Sequence, residues 1–353
     1  MKYGILTFHN IPNFGAMMQA YALCKSIRLA GQDCEIIDYQ CENIIKRELT
    51  YHPLKNKAKD LVMRTLAWPK QKKKIQVCDK FMQDQHMFSS QRYFKSTIKE
   101  ANAVYDCFVS GSDMIWNMEV TGNDLTYFLD FVEKDKRRFS YGSSIGAKWT
   151  PSVQKCVKPM LSKYDMLGTR EEDTCNVIQQ ELGLKCEWTC DPTMLLEPDV
   201  WKEMSISPRE KNYVLVYFPY NDILNAAKRY AAKHNKQILV LNWNIPKMGV
   251  KNISPNTPAE WIGYIRCSDA VFTDSYHGVL FSLYFQKQVW TNNRSNRVGS
   301  LLHDFHLESC FIENDAEFKT NIDYSACSPL IAEKRKKSLG YIHNMIEMVE
   351  ERD

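Results

Sequence analysis

The chain of 353 residues has no apolar run approaching the roughly 20 residues that a membrane-spanning helix needs. It also lacks the GxGxxG pattern, which excludes the dinucleotide fingerprint. Its 12 cysteines are scattered, with no Cys-x-x-Cys pair, so neither a zinc ribbon nor a thioredoxin-like dithiol is expected. Cys186 and Cys190, with Trp188, fall on one face of a short strand and read as core packing. Charge of one sign is not in excess: 46 Lys and Arg against 42 Asp and Glu leave a net charge of +4. That balance admits anionic ligands without demanding nucleic acid, and no nucleic-acid partner is expected. The first eight residues, Met1 to Phe8, are too short for an export signal and read as a first strand. Free, mostly buried thiols with no such signal point to a reducing cytosol, so the expected location is cytoplasmic.

What is present is ordinary for a globular protein, with 44% hydrophobic and 25% charged residues, and the length exceeds what one core usually organises. Strand and helix alternate in both halves. Tyr3–Phe8, Cys34–Ile37, Ala103–Val109, Arg138–Tyr141 and Cys186–Thr189 read as strands in the first half, with helices over Ala16–Leu29, Ser152–Leu161 and Glu171–Leu182. In the second half the strands are Tyr213–Phe218, Gln237–Leu241 and Ala270–Thr273, with helices over Asn225–His234, Pro258–Cys267 and Gly278–Phe285. A last amphipathic helix covers about Pro329–Glu350. The expected fold is therefore α/β, two Rossmann-like domains facing across a cleft, able to hold a donor against one and an acceptor against the other. The N-terminal domain is placed at residues 1–195 with a basic insertion near 41–80, the C-terminal domain at 205–328, and the last helix at 329–353. The Lys-rich stretch Lys46–Lys74, ending in Lys70, Lys72, Lys73 and Lys74, reads as a solvated helical insertion. A sharper reading is peripheral contact with the inner face of a membrane or with a lipid-linked diphosphate, because polybasic segments attract anionic surfaces.

Chemistry concentrates at Val271-Phe272-Thr273-Asp274-Ser275-Tyr276-His277-Gly278, where a buried strand, a polar turn and a buried helix follow one another. Open α/β sheets bind ligands at the carboxyl ends of their strands, and backbone N–H groups at a helix start attract anions. His277 there can donate a proton or clamp a phosphate. Its bland alternative is a histidine hydrogen-bonded into a packed turn. Between the first strand and helix lies His9-Asn10-Ile11-Pro12-Asn13-Phe14-Gly15, a loop with a capping Asn and a small Gly suited to a ligand approaching the helix start. His9, His277, His303 and His306 show no ligand spacing, so no metal is expected.

Several ordered segments together resemble the polysaccharide pyruvyl transferase family. They are Gly4-Ile5-Leu6-Thr7-Phe8-His9-Asn10 with Asn13-Phe14-Gly15-Ala16 and Gln19-Ala20-Tyr21-Ala22-Leu23; Ser110-Gly111-Ser112-Asp113 with Trp116-Asn117; and Arg170-Glu171. Asp191-Pro192-Thr193, Thr273-Asp274-Ser275-Tyr276-His277-Gly278, and Arg297-Val298 before Ser300-Leu301-Leu302 complete the set. The resemblance implies a glycosyltransferase-B-like pair of domains and phosphoenolpyruvate as donor substrate, with no further cofactor. The acceptor it implies is a glycan or lipid-linked oligosaccharide, which receives a pyruvate ketal in surface or capsular polysaccharide synthesis. Relatives commonly carry Arg-x-His where this chain has Ser275-Tyr276-His277, so the histidine is kept and a cation is missing. Arg170, Arg294 and Arg297 are the candidates to supply it.

On this reading His277 is the general acid or phosphate stabiliser, and Asp113 a base or hydroxyl partner, with a loop-fixing cap as its alternative. Arg170, Ser275, Gly278, Arg294 and Arg297 bind the donor, and Asp274 orients the turn or His277. Asn10, Asn13, Gly15, Ser112 and Trp116 meet the acceptor, although core packing is the simpler role for Trp116. Two competing functions are a nucleotide-sugar glycosyltransferase of the same fold and a non-catalytic glycan-binding protein.

Overall fold

The computed structural model describes residues 1–9, 11–49, 57–243, 246–292, 294, 296–313, 318 and 321–350. The chain divides into two compact units: Met1–Thr50 with Met82–Leu196 and Ala332–Asp353, and Tyr51–Phe81 with Glu197–Ile331.

Unit 1 is built on a parallel five-stranded sheet in the order β3-β2-β1-β4-β5. The strands are β1 (Lys2–Leu6), β2 (Asp33–Tyr39), β3 (Phe88–Tyr93), β4 (Cys107–Ser110) and β5 (Arg137–Ser140). Two short strands, β6 (Gly168–Thr169) and β7 (Glu187–Trp188), pair with each other, and bridges Phe139 to Met166 and Ser143 to Thr169 tie them to the main sheet. The central strands β1 and β4 are apolar and almost fully buried, as a parallel sheet covered on both faces requires. The expected strand over Ala103–Val109 starts later, because Ile98–Ala103 forms a 3₁₀ turn that buries Ile98 and Ala101 before Cys107 enters the sheet. Strand β3, FSSQRY, has no apolar pattern to betray it; it is an edge strand with three consecutive exposed residues.

The last helix, Tyr324–Glu350, begins five residues before the expected Pro329, and its later part packs on unit 1. Arg335 Nε donates to the Met194 carbonyl at 2.6 Å, Ser338 Oγ accepts from the Cys190 N–H at 2.8 Å, and Tyr341 Oη donates to the Ser140 carbonyl at 2.8 Å. Lys334 Nζ lies 3.6 Å from the centroid of the Trp188 ring. Cys186 and Cys190 are buried as expected, but Trp188 is half-buried and serves as a cation platform.

Unit 2 repeats the plan as β10-β9-β8-β11-β12, again all parallel. Its strands are β8 (Tyr213–Tyr217), β9 (Gln237–Leu241), β10 (Lys251–Ile253), β11 (Ala270–Thr273) and β12 (Gln288–Trp290). Every residue of β8 and β11 is buried, which is why both were legible as short apolar runs. The edge strands β10 and β12 have three residues each, too few for any period to show.

Helix Lys57–Asp84 carries the basic stretch, and its lysines are not uniformly solvated. Lys74 is buried, with its ammonium 4.1 Å from the centroid of the Trp243 ring just beyond β9, and Lys73 Nζ donates to Asn256 Oδ1 at 2.6 Å. No helix of the described residues is long and apolar enough to cross a membrane.

Helix Pro258–Arg266 crosses the backbone of Ile206 at Gly263, where a Cβ would stand 1.7 Å from the Ile206 carbonyl oxygen. Backbone cannot yield as a flexible side-chain tip does. Gly263→Ala is therefore expected to cost about 1–3 kcal/mol or more, seen as a lower calorimetric Tm. A variant that melts with the wild type would show that the Ile206 segment moves freely.

Candidate functional site

In each sheet the chain first builds to one side of the initial strand and then crosses to the other, creating a switch point between β1 and β4 and between β8 and β11. Ligands of open α/β sheets bind at the carboxyl ends of strands at such points. The motif residues cluster there in both units. A cavity of about 290 Å³ in unit 1, lined among others by Tyr164, Asp165, Lys185 and Glu187, lies at the amino ends of β6 and β7 and contains none of them.

At the unit 1 switch point the strand ends are laced together. Thr7 Oγ1 donates to the Ser112 carbonyl at 2.8 Å, Gln19 Nε2 donates to Thr7 Oγ1 at 3.2 Å, and the Gly111 N–H bonds the Leu6 carbonyl at 2.9 Å. Gly111 is required there, since a Cβ would stand 2.8 Å from Thr7 Cβ. Asn13 caps helix Phe14–Leu29: its side-chain oxygen accepts from Gly15 N at 3.0 Å and Ala16 N at 3.5 Å. That oxygen is committed to the helix start, and Gly15 is buried beneath it. Asn10, assigned to the acceptor, lies outside the described residues.

Trp116 is corrected most plainly. It is 0% exposed, donates Nε1 to the Tyr127 carbonyl at 3.1 Å and stacks on Phe128 at 5.7 Å with an 11° interplanar angle. With Trp149 and Tyr164 on its other sides, no face is open to a sugar.

Arg170, at the end of β6, is 3% exposed and held by carboxylates. Its Nε donates to Glu171 Oε1 at 3.0 Å, one terminal nitrogen donates to Asp191 Oδ2 at 3.0 Å, and the other lies 3.8 Å from Asp113 Oδ1. Ser112 Oγ accepts from the same guanidinium at 3.5 Å. Three carboxylates thus lie within 3.8 Å of this guanidinium. Asp191 also accepts from Thr193 N and Oγ1, which explains the Asp-Pro-Thr motif as a capped turn. Asp113 stands at φ 75°, a left-handed conformation, and accepts from the N–H of Met114 at 2.8 Å. Its described bonds are those of a loop-fixing carboxylate.

One polar group at this edge escaped sequence reading. His9, 3% exposed, bonds the Thr7 carbonyl through Nδ1 at 3.0 Å and Asp38 Oδ1 through Nε2 at 3.1 Å, while Arg92 Nε donates to Asp38 Oδ2 at 2.9 Å. The partners come from β1, β2 and β3, so no local pattern could signal them. Burial alone would raise the Asp38 carboxyl, but the bonds and charges of His9 and Arg92 outweigh it and hold it at about 2. Because the folded value lies below the ordinary 3.8, the stabilisation is complete above that value and is lost as pH falls toward 2. It amounts to about 2 kcal/mol. Acid titration of stability should therefore be shallower between pH 4 and 2 in Asp38→Asn; identical slopes would show that the pair contributes nothing.

The unit 2 switch point is more open. β8 ends at Tyr217, opposite Thr273 of β11, so Phe218 and Asp274 leave the sheet side by side. Ser275 is the N-cap of helix Tyr276–Tyr284, its Oγ accepting from Gly278 N at 3.2 Å. The helix thus begins two residues earlier than Gly278, and His277 stands in its first turn, 6% exposed, with its ring edge-on to Tyr276 at 5.3 Å. Ser275 therefore supplies a helix cap and no charge two residues before His277. Gly278 is needed because a Cβ would press on the Thr273 side chain at 2.8 Å.

Cations reach this edge from elsewhere. Arg294 pairs with Asp222 Oδ1 at 2.8 Å and lies 5.1 Å from the centroid of Tyr220, and Asn292 Nδ2 donates to Asp222 Oδ2 at 2.7 Å. Burial raises the Asp274 carboxyl above its ordinary value; Arg294 and Arg297 pull it down and Asp222 pushes it up, so the four charges form one group. Burial also works against charge on Asp222, but the Asn292 bond, backbone N–H groups and Arg294 keep it lowered. Asp274 Oδ1 is buried with no hydrogen-bond donor among the described residues. No cluster of three or more His, Cys, Asp or Glu side chains among the described residues could hold a metal.

A family model described as polysaccharide pyruvyl transferase matches residues 13–291. The chain belongs to the polysaccharide pyruvyl transferase family. Membership implies a transferase of polysaccharide synthesis. No curated protein matches the chain. Among solved structures it is similar to the Neisseria meningitidis UDP-GlcNAc 2-epimerase bound to UDP-GlcNAc, with TM-score 0.53, 10% identity and 100% of each chain covered. It is also similar to S. aureus MnaA with UDP, at TM-score 0.52 and 12% identity over 96% of this chain and 90% of that one. An alpha-glucosyltransferase in complex with UDP and a 13-mer DNA containing an HMU base gives TM-score 0.50 and 8% identity over 99% of each chain. At these identities the likeness shows the fold, two parallel α/β sheets of glycosyltransferase-B-like kind. In this member of the pyruvyl transferase family, the histidine motif and the arginines beyond it share one sheet edge, whereas Arg170 belongs to unit 1.

Proposed function

We propose that this protein transfers a pyruvyl group from phosphoenolpyruvate to two hydroxyls of one sugar in a surface or capsular polysaccharide unit, forming a cyclic ketal. The observation that carries the reading is His277 in the first turn of a buried helix at the carboxyl end of β11, with Arg294 and Arg297 acting on the adjacent Asp274. Phosphoenolpyruvate needs cations for its phosphate and carboxylate, and a proton for its methylene carbon. Arg294 and Arg297 provide the charge, reinforced by the N–H groups of the helix start. His277 delivers the proton to the methylene carbon, which leaves the neighbouring carbon electron-deficient. One sugar hydroxyl attacks that carbon, the C–O bond to phosphate breaks, and the second hydroxyl closes the ketal. Each hydroxyl releases its proton, and inorganic phosphate is the second product. Asp274 is the carboxylate best placed along the chain to orient His277 or take a hydroxyl proton.

The test is incubation of the full chain with phosphoenolpyruvate and the released repeat oligosaccharide of the organism that encodes it. Phosphate release by ³¹P NMR and a product heavier by pyruvic acid minus one water are expected. Consumption of a UDP-sugar with phosphoenolpyruvate untouched would overturn the reading in favour of a glycosyltransferase. No turnover of either donor would favour a glycan-binding protein.

A further inference from the structure

We propose that Phe218 and Tyr220 form a stacking platform for the acceptor sugar ring, at the same sheet edge as His277. The inference rests on the pyruvyl-transfer reading and names where the reacting ring lies. In that reaction both bonds of the ketal form to the former enol carbon, so the ring bearing the two hydroxyls must sit against the donor. If the donor is at the carboxyl end of β11, the ring is there too.

Phe218 and Tyr220 are what that edge presents. They are 38% and 49% exposed, although they directly follow β8, in which every residue is buried. The register sets Phe218 beside Asp274, three residues before His277. Phe218 is held at φ 60°, a conformation an aromatic residue adopts only under constraint, and the Tyr220 N–H closes the turn on the Phe218 carbonyl at 2.8 Å. The turn has a rigid floor: the Tyr217 ring packs 4.5 Å from Phe218 and 5.8 Å from Trp261. Two aromatic side chains kept in solvent by a strained turn at a switch point are a surface kept for a ligand. The adjacent polar groups indicate which kind. A pyranose offers C–H bonds to an aromatic face and hydroxyls to carboxylates and amides at its rim. Asp222 accepts from Asn292 and pairs with Arg294, which stacks on Tyr220, and Asp274 Oδ1 on the other side of the turn is a buried acceptor with no donor among the described residues. A nucleobase would use the same faces, so it is an explicit arm of the test.

Steady-state kinetics with the released repeat oligosaccharide would be measured for Phe218→Ala, Tyr220→Ala and Tyr220→Phe. Each alanine variant should raise the acceptor KM about three- to tenfold, the range of one aromatic stacking interaction, and Phe218→Ala, which leaves the Arg294–Tyr220 contact in place, should keep the phosphoenolpyruvate KM within twofold. Tyr220→Phe keeps the face and should keep the acceptor KM. Saturation-transfer NMR on the full chain without phosphoenolpyruvate separates this proposal from the functional reading. The oligosaccharide should be saturated by the wild type and lose that signal in Tyr220→Ala, even if no pyruvyl transfer is found. Unchanged acceptor KM and saturation in both alanine variants, a parallel rise in both KM values in Phe218→Ala, or saturation of UDP in place of the oligosaccharide would overturn the platform.

Discussion

His277→Ala should lower kcat for phosphate release by about 10²–10⁴-fold, the usual contribution of a positioned acid–base group, with little change in Tm. The side chain is 6% exposed in the first turn of a helix whose cap belongs to Ser275, so its loss removes neither the cap nor a core layer. His277→Gln distinguishes its two candidate roles. A neutral donor that cannot protonate carbon but still faces the phosphate should retain rate if His277 stabilises phosphate, and none if it protonates the methylene carbon. In the second case the limb of the pH–rate profile reporting its proton disappears as well. Rates within a few-fold of wild type in both variants would remove His277 from the chemistry.

Arg170→Met should have the largest effect on stability, about 3–5 kcal/mol, because it leaves a buried charge group without its counter-ion. Asp191, Glu171 and Asp113 all face that guanidinium, with Asp191 and Glu171 at 3.0 Å and Asp113 at 3.8 Å. Removing the cation turns mutual neutralisation into repulsion inside unit 1. Arg170→Lys should not rescue it, since one ammonium cannot replace a planar fork that bonds two carboxylates and approaches a third. Chemical denaturation of each variant gives the measurement. A variant with wild-type stability and lost phosphoenolpyruvate affinity would return Arg170 to the donor site.

The buried strands were legible because a parallel sheet covered on both faces demands continuous apolar residues: Tyr213–Tyr217, Gln237–Leu241 and Ala270–Thr273 emerge close to or at their observed bounds. Three of the four edge strands were not, since β3, β10 and β12 are short or polar and are defined by their pairing with a neighbouring strand and not by a pattern of their own. The site divides the same way. His277 stood out because strand, turn and helix are consecutive in sequence. The company of Arg294 with Tyr220 and Asp222 joins segments about 70 residues apart and is visible only once β8 and β12 lie on either side of β11.

Local order along the chain was enough for the α/β alternation, the family and the histidine turn, because each depends on residues that are neighbours in sequence. Folding decided what each polar group does. It sealed Trp116 in the core and drew Lys74 onto Trp243. It also surrounded Arg170 with carboxylates and gave Ser275 a helix to cap. The reason is physical: a charge or hydrogen bond takes its meaning from the groups within a few ångströms, and in a sheet those groups come from strands the sequence keeps far apart.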